Sequence, residues 1–220
     1  MVMEETYMNK QLTEIIFVLD RSGSMGGLEK DTIGGFNSLL QKQLDAPGNA
    51  ILSTILFDHE VSWLHYRHPI EHIQPLSEQD YQVRGSTSLL DAIGTTIYTL
   101  SNKQSHTPPE HRPHKTLCII ITDGHENSSK EYSLSSIRTL IEVKKSQNWE
   151  FLFLGANIDA IKEASKFGID PDFASNYRSD AKGTQANFRE VEKVMRTVRS
   201  NERIDKSWKK EIEDDFDKRS

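Results

Sequence analysis

Asp20, Ser22 and Ser24 alternate along the segment Asp20-Arg21-Ser22-Gly23-Ser24. One carboxylate and two hydroxyls so spaced present oxygen donors from a single turn, and Gly23 eases that turn sterically. Two distant segments carry matching chemistry. Gly85-Ser86-Thr87-Ser88-Leu89-Leu90-Asp91-Ala92 offers the Thr87 hydroxyl, and Ile121-Thr122-Asp123-Gly124 offers a second carboxylate. Magnesium is a hard cation that takes oxygen ligands and keeps part of its water. Hydroxyl oxygens with nearby carboxylates can supply a site that neutralises such an ion only in part. Asp-x-Ser-x-Ser alone is equally a serine-rich turn that caps the next helix. Three oxygen-bearing segments in this order favour a metal site.

Other chemistries fit the same residues less well. A phosphatase built on an aspartate nucleophile needs a second acid two residues later, where this chain has Ser22. A serine hydrolase needs Gly-x-Ser-x-Gly, and the position two before Ser24 is Ser22 rather than glycine. Gly23, Gly26 and Gly27 lack the dinucleotide spacing, and no Walker motif is present, so no nucleotide is expected. Of the 8 histidines, His65, His68 and His72 form one group and His106, His111 and His114 another. Neither has zinc-site spacing, and solvated loop positions explain them better. The single cysteine, Cys118, sits inside the apolar run Leu117–Ile121 and reads as core packing.

The elements that must hold the three segments follow from hydrophobic periodicity. Ile15–Leu19 is an unbroken, β-branched-rich run ending at Asp20, the pattern of a strand buried on both faces. Leu28, Ile33, Phe36, Leu40 and Leu44 then recur at near-helical spacing until Pro47-Gly48. Ile51–Phe57 and Val61–Tyr66 read as a hairpin turning at Asp58-His59-Glu60. Leu89, Ile93, Ile97 and Leu100 mark a helix, and the prolines of residues 105–114 a loop. Leu117–Ile121 is another buried strand, followed by a helix through Leu134, Ile137 and Ile141. Phe151–Leu154 is a further strand closed by Gly155; Ile158, Ile161 and Ala164 mark a short helix stopped at Gly168. Phe188, Val191, Met195 and Val198 mark the last long helix. Strand–helix alternation of this kind builds a mostly parallel sheet covered on both faces, with ligands bound beyond the carboxyl ends of its strands. Asp20 and Asp123 both fall at that end.

The 220 residues suit one compact domain: 35% are hydrophobic and 27% charged, a soluble globular balance. The net charge of -6 lacks the basic footprint of a nucleic-acid binder. No apolar run approaches the roughly 20 residues needed to cross a bilayer. The polar start shows no secretory signal, and with the lone cysteine this points to the cytoplasm. The expected organisation is a flexible segment at 1–12, a domain at 13–200 and a charged amphipathic tail or helix at 201–220. In that tail Ile204, Trp208, Ile212 and Phe216 recur every fourth residue. A helix packed on the domain explains the stripe better than a docking helix for a partner.

The sequence resembles the von Willebrand factor A domain, whose metal-ion-dependent adhesion site is an Asp-x-Ser-x-Ser motif, a distant Thr and a distant Asp. Asp20, Ser22, Ser24, Thr87 and Asp123 match all five positions, and Gly26-Gly27 and Asp91-Ala92 match the flanks. The resemblance runs from about Glu14 to Arg199. More narrowly, it looks like the stand-alone domains of bacteria and their phages, in which Phe153-Leu154-Gly155-Ala156-Asn157 precedes the penultimate helix. It implies a three-layer, Rossmann-like α/β sandwich with a mostly parallel central sheet, one antiparallel edge strand and helices on both faces. It implies one magnesium or manganese ion held by Ser22, Ser24 and Thr87 directly and by Asp20 and Asp123 directly or through water. It further implies a non-enzymatic protein-binding module, monomeric alone, that ligates a partner's Asp or Glu. Neighbourhood in sequence nominates Met25, Ser86, Ser88, Gly124, His125 and Glu126 as the partner rim. The alternative is a scaffold or regulatory subunit of a co-encoded ATPase or phosphatase, with a mainly structural metal.

Overall fold

The computed structural model describes residues 12–219, so the N-terminal segment at 1–12 lies outside it except for Leu12. Six strands form one sheet: β1 (Thr13–Asp20), β2 (Ala50–Phe57), β3 (Val61–Pro69), β4 (Lys115–Thr122), β5 (Trp149–Gly155) and β6 (Ala174–Asn176). Their order is β3-β2-β1-β4-β5-β6. Only β3 runs antiparallel, pairing with β2 as the predicted hairpin, and every other pairing is parallel. The helices are α1 (Glu29–Gln43), α2 (Leu89–Ser105), α3 (Leu134–Lys145), α4 (Ala160–Lys166), α5 (Ala181–Arg199) and α6 (Lys210–Lys218).

Successive strand residues point to opposite faces, so each apolar run feeds two cores at once. Ile15, Phe17 and Leu19 of β1 pack with α1, α5 and the C-terminal segment, whereas Ile16 and Val18 pack with α2, α3 and α4. The three-layer sandwich expected from the sequence is therefore present. Where α1 crosses α5 the helices meet closely: a Cβ on Gly35 would lie 2.3 Å from the Phe188 ring.

The register sets the position of the oxygen-bearing residues. β1 lies between β2 and β4, where the strand order reverses, with Asp20 beside Phe57 and Leu19 beside Ile121. Asp20 and Asp123 thus leave the sheet side by side at its carboxyl edge, the crevice such sheets use for ligands. In the C-terminal segment a short 3-10 turn (Lys206–Lys209) leads into α6, burying Trp208 and Ile212. Trp208 Nε1 donates to the Asp172 carbonyl at 2.9 Å and Arg219 pairs with Asp180 at 2.6 Å, fastening α6 to the β5–α5 region. Among the described residues no helix is long and apolar enough to cross a membrane.

Candidate metal centre

Three loops meet at the carboxyl edge. The first leaves β1 at Asp20 and tightens into a 3-10 turn at Gly23–Met25. Met25, only 2% exposed, anchors that turn in the core beneath it. The second carries Gly85, in the left-handed region at φ 67, and Thr87 just ahead of α2. The third follows β4 through Asp123 to Ser129. Gly23 N–H donates to the Gly85 carbonyl at 3.1 Å and Arg84 N–H to the Arg21 carbonyl at 2.9 Å, joining the first loop to the second. Asn127 joins the second to the third: its Oδ1 accepts from Thr87 N–H at 2.9 Å and its N–H donates to the Thr87 carbonyl at 3.1 Å.

The five oxygen-bearing residues read from the sequence gather here. Ser22 Oγ lies 3.1 Å from Ser24 Oγ, and Ser24 Oγ donates to Asp123 Oδ1 at 2.5 Å. A Cβ built on Gly124 would stand 3.0 Å from Thr87 Oγ1 and 3.1 Å from Ser24 Oγ, so those two hydroxyls flank one point. Asp20 is fully engaged by its own chain. Its Oδ1 accepts from Ser22 N–H at 2.7 Å, its Oδ2 accepts from Thr122 Oγ1 at 2.6 Å, and its carbonyl accepts from the Tyr81 hydroxyl. Asp123 is not: its Oδ2 is buried with no hydrogen-bond partner.

Electrostatics follow from that burial. Burial, aided by the neighbouring Asp20 charge and opposed by the Ser24 hydrogen bond, pushes the Asp123 carboxyl up to about 6. Burial likewise raises Asp20, against the hydrogen bonds from Thr122 and Ser22. Tyr81 and Tyr177 lie beneath the pair, and burial followed by the carboxylate charges drives both phenols upward. Two buried acids, one with an unpaired oxygen, are unfavourable without a compensating charge. Hydroxyls and carboxylates together make an oxygen donor set suited to a hard divalent cation, so the residues fit such an ion.

The nominated rim divides. His125 is exposed, with Nδ1 3.9 Å from Glu163 Oε1, and Ser86 and Gly124 are half-buried. Ser88 is only 3% exposed, with its Oγ 2.8 Å from Ser128 Oγ. The Glu126 carboxylate turns inward, accepting from Leu90 N–H at 2.9 Å, Ser128 N–H at 2.9 Å, and Ser129 N–H and Oγ at 2.7 Å each. Met25, Ser88 and Glu126 therefore support the loops from below rather than face outward.

Sequence reasoning did not single out Thr122, Tyr81, Asn127 or Asp58. Thr122 adjoins Asp123 and its hydroxyl was a readable signal; the others reach the site only through the fold. Asp58, His59 and Glu60 place ligand-type atoms within 4.8 Å of one another beside the first two loops. Arg21 and Arg84 already pair with Asp58 Oδ2 at 2.8 and 2.9 Å, so two guanidinium charges compensate that carboxylate. Asp58 thereby braces the first two loops.

A family model described as von Willebrand factor type A domain matches residues 14–198. No curated protein matches the chain. Among solved structures, proximal thread matrix protein 1 of the mussel byssus, with a zinc-occupied MIDAS motif, is similar at TM-score 0.59 and 13% identity. That alignment covers 84% of this chain and 46% of the byssus protein, so the chain spans less than half of that relative. The manganese-loaded TRAP protein of Plasmodium vivax is similar at TM-score 0.55 and 19% identity, covering 81% of this chain and 74% of that one. The pilus adhesin SpaC of Lactobacillus rhamnosus GG is similar at TM-score 0.62 and 12% identity, covering 84% and 30%. At these identities the likeness establishes the fold.

Proposed function

We propose the following function for a chain that belongs to the von Willebrand factor type A domain family: it is a binding module, not a catalyst, that holds one magnesium or manganese ion and uses it to grip a carboxylate of a protein partner. Ser22, Ser24, Thr87, Asp20 and Asp123 would hold the ion. The observation that carries the proposal is the buried, unpaired Asp123 Oδ2 beside three converging hydroxyls. The bound ion would supply a Lewis-acidic centre of residual positive charge. The chain's own part is to hold the donors. Asp20 spends both oxygens on Ser22 and Thr122, which shapes the first loop. Asp123 keeps one oxygen free. Ser86, Gly124 and His125 would form the rim against which a partner carboxylate is oriented. The byssus protein with its zinc-occupied MIDAS motif, the manganese-loaded Plasmodium protein and the Lactobacillus pilus adhesin support a reading as a metal-dependent adhesion module.

The test is calorimetric titration of EDTA-stripped protein with MgCl2 and with MnCl2, beside a Ser22→Ala/Ser24→Ala double variant. One ion per chain in the wild type and none in the variant is expected. The same pair, tagged, is then used for pull-down in magnesium and in EDTA. A partner retained only by wild type in magnesium supports the metal bridge. Equal capture under all conditions, or cation binding that survives the double substitution, overturns it.

A further inference from the structure

We propose that Asp58 is the positioning residue of the oxygen cluster: its buried carboxylate locks the Ser22–Ser24 loop to the Thr87 loop, so that the hydroxyls are assembled before a cation arrives. The proposal deepens the reading of the cluster as a cation site and rests on it. Asp58 lies in the β2–β3 turn and contributes no oxygen to the cluster. Its side chain is fully buried, and its Oδ2 accepts one guanidinium from each loop: Arg21 Nε at 2.8 Å and Arg84 Nε at 2.9 Å. Arg21 stands between Asp20 and Ser22, and Arg84 stands three residues before Thr87. One oxygen is therefore shared by the two loops whose hydroxyls must converge.

The rest of Asp58 is committed to the same joint. Its Oδ1 accepts from Glu60 N–H at 2.8 Å and lies 3.0 Å from His59 Nδ1. Its carbonyl accepts from Ser88 N–H at 2.8 Å, at the start of α2. Around it the loop backbones pair directly, through Arg84 N–H to Arg21 O and Gly23 N–H to Gly85 O. Charge-assisted hydrogen bonds of this kind are the stronger sort. Without the carboxylate, two guanidinium groups would face each other, and Arg21, with its side chain 11% exposed, would be left with buried, uncompensated charge. Arg84 keeps Glu60 at 2.8 Å, so the loss falls on Arg21 and on the link between the loops, whose parting would separate Ser24 from Thr87. The Asp58 carboxylate acts on the site through the arginines, not as a ligand.

Asp58→Asn and Arg84→Met test this, with Glu14→Gln as the control. Glu14 is a buried acid of the same sheet, paired with Arg67 at 3.0 Å and accepting from Gln104 at 2.8 Å, but it sits at the opposite end of β1. Magnesium affinity is measured by calorimetry, stability by thermal unfolding in EDTA, and loop order by hydrogen exchange at the Gly23 and Arg84 amides of the metal-free protein. Expected is at least a tenfold loss of magnesium affinity and faster exchange at both amides in Asp58→Asn and Arg84→Met. Glu14→Gln is expected to lower the melting temperature while keeping affinity and exchange within twofold of wild type. Wild-type affinity and exchange in the Asp58 variant, or an affinity loss in Glu14→Gln that tracks its melting temperature, would overturn the proposal. If Asp58→Asn does not fold, Arg84→Met decides, because its side chain is half exposed. If wild type takes up no cation, the metal reading fails by itself, and exchange in the metal-free protein still decides the role of Asp58.

Discussion

Gly124→Ala separates metal geometry from fold stability. The added Cβ would stand 3.0 Å from Thr87 Oγ1 and 3.1 Å from Ser24 Oγ, closer than ordinary contact, so both hydroxyls must retreat by a few tenths of an ångström. Magnesium requires near-ideal octahedral geometry with short, narrowly distributed oxygen distances. Displacing two of the three hydroxyls at once should weaken magnesium binding about 10- to 100-fold, the size of effect seen when groups that orient metal ligands are altered. Calcium, with longer and more flexible coordination, should lose less. The metal-free fold should hardly notice. Gly124 does not occupy the left-handed region, and replacing glycine by alanine restricts the unfolded chain by about 0.4–1 kcal/mol, which offsets the crowding. The assay is calorimetric titration with MgCl2 and CaCl2, paired with thermal unfolding in EDTA. Magnesium affinity within twofold of wild type would refute the placement of Ser24 and Thr87 around one ion. So would equal losses for both ions accompanied by a large drop in melting temperature, since that would mean the loop had collapsed.

Further predictions concern charge and packing. The Asp123 carboxyl titrates at about 6 in the fold against an ordinary 3.8, so its ionisation opposes folding. In EDTA, stability should therefore rise as pH is lowered from 8 through 6 towards 4, and Asp123→Asn should flatten that slope and raise the melting temperature at pH 8. Trp208→Ala, which empties a buried site beneath the C-terminal segment, should cost about 3–5 kcal/mol in denaturant unfolding while magnesium affinity stays within twofold. Within α1, Gly35→Ala should destabilise by about 1–3 kcal/mol because its Cβ meets the Phe188 ring. Its neighbour Gly34, whose Cβ would meet nothing within 4 Å, should stabilise by about 0.5–1 kcal/mol on the same change; identical effects for the two would contradict the helix contact.

Much of the fold could be read because burial leaves a mark in composition. β1, β4 and β5 are covered on both faces, and their unbroken apolar runs follow from that. The tail stripe could be read for the same reason, since Trp208 and Ile212 are buried on one side of a charged segment. β6 left no such mark. It has three residues, Ala174–Asn176, and is a strand because β5 offers it an edge. Asn176 also spends its Oδ1 on Ala160 N–H at 2.8 Å, a local role that no periodicity reports. Where α6 would dock was equally silent, because its pairings with α5, Glu211 with Lys193 at 2.9 Å and Asp215 with Lys182 at 2.7 Å, join residues far apart in sequence.

At the site, legibility divides by distance along the chain. Asp20, Ser22 and Ser24 sit within one turn, and Thr87 and Asp123 carry recognisable flanks, so residue type and spacing suffice to select them. Tyr81 meets Asp20 across 61 residues and Arg84 meets Asp58 across 26, and neither pairing repeats a pattern that spacing could expose. The rim shows the reverse failure. Met25, Ser88 and Glu126 adjoin the motif in sequence, yet chain neighbours of a surface site alternate between facing out and plugging the loop from beneath. The two carboxylates make the same point chemically. By type they are equivalent, but Thr122 and the Ser22 amide satisfy Asp20, while Asp123 is left with one oxygen unpaired. An incoming cation would gain most from the group that the fold leaves unsatisfied. The difference between Asp20, satisfied by its own loops, and Asp123, left with one unpaired oxygen, therefore comes from hydrogen-bond geometry in three dimensions, which the order of residues does not contain.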